Sequence, residues 1–248
     1  IEGNYTLTDS LIIEDGGVLT LEAGSTLNLD SASSVYCAGD IYIDGTETNR
    51  VTINFFQPDN TKQNSIYLGK GSSAILNYAD IKNGYSGITA TSGFDTLMIN
   101  QSKFTNFSNA GIVLNGTGFE NALITNNNYT NCEYAGFITN ISTVVINSDS
   151  ANTRSGYCFT GVSDLWFGGN TLTGTEEGIG LSLTGCYGNI YNNRITNHTD
   201  GILLADSYPK IGGNEITNNT QRGLVCEYGA SPDLEIFNEA GDCEQMNT

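Results

Sequence analysis

The chain has 248 residues, 27 of them acidic and 9 basic, for a formal net charge of −18. A surface so one-sided repels nucleic acid phosphates and anionic membranes, and no apolar run approaches the roughly 20 residues a membrane span requires. Thirty glycines against three prolines, with 38% apolar residues, argue for a folded domain with many tight turns and against a disordered linker.

The opening residues, IEGNYTLTDS, carry neither an initiator Met nor a signal-peptide pattern, so the sequence reads as a mature or excised piece of something longer. Beyond them, alternating apolar residues between glycine-rich turns predict short strands at Leu19/Leu21, Leu27/Leu29, Ile41/Ile43 and Val51/Ile53/Phe55. A repeat then becomes explicit. NRITNHTDGILL, starting at Asn193, returns as NEITNNTQRGLV from Asn214. Taking the glycine before an apolar residue as anchor gives Gly87, Gly111, Gly136, Gly156, Gly178, Gly201 and Gly223, at gaps of 24, 25, 20, 22, 23 and 22.

Two aliphatic columns run through these units: Ile99, Ile124, Ile146, Phe167, Ile190, Ile211, and five residues on Phe104, Tyr129, Ala151, Leu172, Ile195, Ile216. Between them lies a polar column of Asn127, Asp149, Asn170, Asn193 and Asn214. A further Asn column comprises Asn106, Asn131, Asn197 and Asn218. A unit of under 23 residues with about three strands cannot bury its apolar face alone. Stacked at ~4.8 Å, such units pair in parallel and share one core, with amide-to-amide bonds along the Asn columns. Helical periodicity is absent. The expected fold is an all-β, single-stranded parallel β-helix of about ten coils, as one domain over 1–248: N-terminal coils 1–64, regular coils 65–230 and a C-terminal edge segment 231–248.

Of eight N-x-[ST] sequons, those at Asn106, Asn197 and Asn218 fall in an Asn column and are read as ladder residues, while Asn115 and Asn140 stay open as glycan acceptors. These repeats resemble the right-handed parallel β-helix proteins of the pectin-lyase-like type, in particular the NosD-like and carbohydrate-associated surface proteins. The resemblance implies a secreted or cell-surface location and hosts lyases, hydrolases, esterases, adhesins and plain scaffolds alike. Its enzymes carry adjacent Asp pairs, a GHG-like element or an RIK-like run, none of which occurs here.

The turn before each anchor glycine carries charge: Glu133, Arg154, Glu176 with Glu177, Asp200 and Arg222 fall along one edge. Such a line would grip a sugar chain or hold an acid near a base; alternatively it is a set of exposed ion pairs between coils. Trp166 points outward, available to a sugar ring. His198, the only histidine, is expected in an exposed turn, and zinc is not expected with so few ligands. Thr125, Thr143, Thr171 and Thr196 do not align as a flat ice-binding array would need. Six cysteines suit an oxidising exterior. Cys226 is expected as a buried thiol, with pairings Cys226–Cys243 or Cys37 to a distant partner left open. No cofactor is implied beyond loose Ca²⁺ on the acidic surface.

The expected role is therefore an extracellular structural or adhesive element, self-associating through its coil ends or joined to neighbouring domains, with no nucleic-acid or membrane partner. The alternative is a carbohydrate-active enzyme or carbohydrate-binding domain, with Glu133, Arg154, Trp166, Glu177, Asp200 and Arg222 as its polysaccharide contacts.

Overall fold

The computed structural model describes residues 2–30, 33–56, 63–91, 93–117 and 120–234. Every strand pairing is parallel, and the strands stack in three columns, one strand of each column per coil. The first column runs from Val18–Glu22 through Thr143–Asn147 and Asp164–Gly168 to Asp233–Leu234. The second runs from Asn4–Leu7 to Glu215–Thr217, and the third from Leu11–Ile13 to Arg222–Glu227. In three coils the second and third columns merge into one long bent strand: Ala79–Ala90, Lys103–Asn115 and Asn128–Thr139.

The core follows from alternation. Ile99, Ile124, Ile146, Phe167, Ile190 and Ile211 stand in register and are buried, as are Phe104, Tyr129, Ala151, Leu172 and Ile195. Aromatic rings fill the middle coils of this core. Phe104 stacks on Tyr129 at 5.1 Å, and Tyr157 stacks on Phe159 at 6.0 Å.

The polar column is a buried ladder. Asn170 Nδ2 donates to Asn193 Oδ1 at 2.9 Å, and Asn193 Nδ2 does the same to Asn214 Oδ1. Each amide also reaches a carbonyl of the preceding coil, as Asn193 Nδ2 does to Phe167 O at 2.9 Å. The second Asn column forms an outer ladder from Asn28 through Asn54, Asn83 and Asn106 to Asn131, at 2.7–3.1 Å per step. Among the described residues, Asn197 and Asn218, expected to extend it, are not joined to it by side-chain bonds, since Gly174 interrupts the column. Asn106, Asn131, Asn197 and Asn218 share a left-handed backbone, with φ of 55–62°. The other corners use the same device. Gln101, Asn126, Ser148 and Asn192 turn the chain after first-column strands, and Asn140, Gly161, Gly185 and Asp206 after third-column strands. Only Gly, Asn and a few others adopt this conformation cheaply, which accounts for much of the Asn and Gly content.

Pairing corrects two anchors. Tyr157 faces Leu181 and Leu181 faces Ile202, so Gly180, not Gly178, shares the place of Gly156 and Gly201. Likewise Gly136 faces Ile112 and Tyr157, which puts Ala135 opposite Gly111. The true column requires a small residue for lack of space. A Cβ on Gly156 would sit 2.1 Å from the Gly180 carbonyl oxygen and 2.9 Å from Leu172.

Three further expectations change. His198 is fully buried, because its turn folds inward over Gly174. Cys226 keeps the inward phase, facing Leu204, yet it is exposed, not buried as expected. Cys37, Cys132, Cys158, Cys186 and Cys226 are all free thiols, which excludes a Cys37 bridge to any described cysteine; Cys243 lies outside the described residues. Of the edge segment 231–248, only residues 231–234 are described, and Asp233–Leu234 continues the first column.

Candidate functional site

The charged turns fall on the corner between the second and third columns, and stacking brings their side chains together. Arg154 reaches back one coil to Glu133 at 2.5 Å and forward one coil to Glu177 at 3.1 Å. Both carboxylates raise the Arg154 guanidinium above its ordinary range, Glu133 foremost. Farther along, Arg222 forks onto Asp200, with Nε to Oδ1 at 2.8 Å and Nη2 to Oδ2 at 2.9 Å. The same contact raises the Arg222 guanidinium. The edge expected from sequence therefore exists as two ion-pair groups, one across three coils and one across two. Each cation is held by a carboxylate, and Glu133, Glu177 and Asp200 each by a cation; Glu176, expected on the same edge, forms no ion pair among the described residues.

Two hollows meet at Arg154. One, an open groove of about 540 Å³, is lined by Asn106, Asn131, Glu133, Asn152 and Thr175 among others. The other, of about 210 Å³, is lined by Tyr134, Phe137, Cys158, Ile179 and Ser182. The Tyr134 and Phe137 rings lie 4.3 Å apart. These aromatics were missed in the sequence, although Phe137 carries a readable signal: it alternates with the inward Ile138 and so points outward.

Trp166 is placed elsewhere. It projects from the middle of a first-column strand, 44% exposed, with the Tyr191 ring 6.0 Å away. In register with it along the outward face stand Ile75, Met98, Leu123 and Val145. Rows of Ser, Thr and Asn flank that stripe: Ser73, Thr96, Asn121 and Thr143 on one side, Asn77, Asn100, Thr125 and Asn147 on the other. The charged corner belongs to the other two columns, so Trp166 and Arg154 do not share one surface.

Two titratable groups lie in the interior. Asp149 occupies the buried Asn ladder, where its Oδ1 accepts the Asn127 backbone N–H at 2.7 Å and the Asn127 Nδ2 at 3.2 Å, and its Oδ2 accepts the Tyr157 hydroxyl at 2.7 Å. Burial pushes its carboxyl up to about 7, with these bonds offsetting part of the rise. His198 is pushed down to about 4 by burial, and neither ring nitrogen has a partner in hydrogen-bonding geometry. The Thr196 carbonyl lies near enough to offset part of that shift. Neither group faces the grooves. Among the described residues, no three His, Cys, Asp or Glu side chains are grouped to hold a metal ion, and no helix is long and apolar enough to cross a membrane.

Parallel three-column stacking, an internal amide ladder and an aliphatic core define a β-solenoid. The chain belongs to the family described as Right handed beta helix region, whose model matches residues 91–239. That match covers more than half the chain and supplies the handedness of the coil. No curated protein and no solved structure matches the chain.

Proposed function

We propose that this β-helix is a structural and adhesive element of an extracellular layer or filament, self-associating through its coil ends and holding other partners along its sides without cleaving them. The observation that carries this reading is the pairing at the corner. Glu133 and Glu177 are both engaged by Arg154, and Asp200 by Arg222. General acid–base work needs a group free to give or take a proton at the reacting atom, and these charges neutralise each other instead. The extracellular location rests on the family resemblance and the acidic surface, since the described cysteines are free. Loose Ca²⁺ would bind such a surface diffusely, screening repulsion between neighbouring molecules.

A second reading has its own support. The groove beside Glu133 and Arg154, with Tyr134 and Phe137 across the arginine, offers polar and aromatic contacts to a sugar chain, as a carbohydrate-active enzyme or binding domain would. Negative-stain microscopy of the purified chain over a concentration series, with Ca²⁺ and with chelator, tests the structural reading. Ordered filaments or sheets are expected. Dispersed monomers under every condition would sink self-assembly and leave the groove reading ahead.

A further inference from the structure

The outward face of the first column departs from the rest of this acidic protein. From Ser73–Asn77 to Thr143–Asn147, four successive strands place no charged side chain outward. Their centre line is apolar, through Ile75, Met98, Leu123 and Val145, and it ends on Trp166. Met98 and Trp166 are 40% and 44% exposed. Beyond Trp166 the same column carries Tyr187 and Tyr208, stacked at 5.5 Å and also exposed. Charged side chains bound the strip lengthwise: Asp40 and Asp44 one coil before it, Asp164 on the Trp166 strand itself, and Lys210 farther on, on the Tyr208 strand.

We infer that this face is a docking surface for an uncharged, extended polysaccharide lying along the coil axis. Three features select that occupant. The face is neutral and its rim acidic, in a chain of net charge −18, which disfavours anionic polymers. The chemistry repeats: each of these four coils, at ~4.8 Å, presents an apolar contact between hydroxyl or amide groups. A ligand that itself repeats an apolar ring face edged by hydroxyls engages many coils at once, and weak contacts then sum. Aromatic side chains at one end supply flat stacking surfaces with a polar edge. A second copy of the chain fits less well. The strip is on the order of 350 Å², from strand spacing and length, against ~800 Å² per partner in a stable interface.

This inference rests on the adhesive reading and assigns it a surface distinct from the Arg154 corner. The test is retention on microcrystalline cellulose and on a soluble mixed-linkage β-glucan, with polygalacturonate as the anionic comparison. Trp166→Ala and Leu123→Lys each alter one outward side chain, on different coils; Arg154→Ala alters the corner. Retention on the neutral polymers is expected, insensitive to high salt, weakened about tenfold or more by either face variant and unchanged by Arg154→Ala. Circular dichroism and melting confirm that each variant is folded, and either face variant alone suffices for the reading. Loss of retention with Arg154→Ala and not with the face variants would overturn the inference while keeping the adhesive function. Self-association abolished by Leu123→Lys, without retention, would assign the face to a second copy and overturn it as well. Absence of both retention and self-association would remove the inference and the adhesive reading together.

Discussion

Asp149 is the one acid in a column otherwise built from asparagine, and its position makes stability depend on pH. Its folded value of about 7 lies above the ordinary carboxyl value, so between roughly pH 4 and 7 the folded chain binds more protons than the unfolded one. Stability from this group is therefore full below pH 4 and falls as pH rises to 7. Asp149→Asn keeps the shape, removes the buried charge and matches the neighbours Asn127 and Asn170. We expect it to raise the melting temperature at pH 8 and to leave it nearly unchanged at pH 4; a pH-independent difference would show that charge is not the cause. His198 acts with the opposite sign. Its folded value of about 4 lies below the ordinary histidine value, so its contribution is present above pH 6.5 and lost as pH falls toward 4. His198→Asn should flatten that acid-side loss, as read from denaturant midpoints between pH 4 and 7. Neither burial was legible. Asp149 was placed in its column by spacing, but the sequence does not reveal that the Tyr157 hydroxyl meets it; His198 sits among polar turn residues that look solvated.

At the scale of the strand columns, the sequence was most readable where one chemistry recurs. The Ile99 and Phe104 columns and the Asn127 ladder could be assigned because each coil must answer the coil beneath it. Glycine anchors were less secure, since EGIGL offers two glycines and coil length varies between units. Side-chain clearance resolves the choice. Gly156→Ala would drive a Cβ into the Gly180 carbonyl, which cannot move without breaking the ladder, and should cost about 1–3 kcal/mol. The reverse change at the equivalent place, Ala135→Gly, should cost about 1 kcal/mol or less, from backbone entropy and a small void. Urea denaturation of both variants checks this; equal costs would contradict the assigned register. The corner charges were legible as an edge because they precede the anchors. Which charges pair was not, because pairing depends on side-chain reach across coils. The separation of Trp166 from that edge was missed because sequence places Trp166 in a column without saying which face the charges occupy.

For the molecule as a whole, stacking turns a short sentence of residues into long, regular sides: a charged corner with grooves, and a neutral face with an apolar centre line. Both suit contact over length more than chemistry at a point. The most direct measurement incubates the chain with neutral and acidic polysaccharides and follows, in the same samples, bound protein and newly formed chain ends, with Arg154→Ala in parallel. Binding to the neutral polymers, without new ends on either kind, in both the parent and the variant, is the predicted result. New reducing or unsaturated ends, formed by the parent and lost in Arg154→Ala, would contradict it and make the corner an active site.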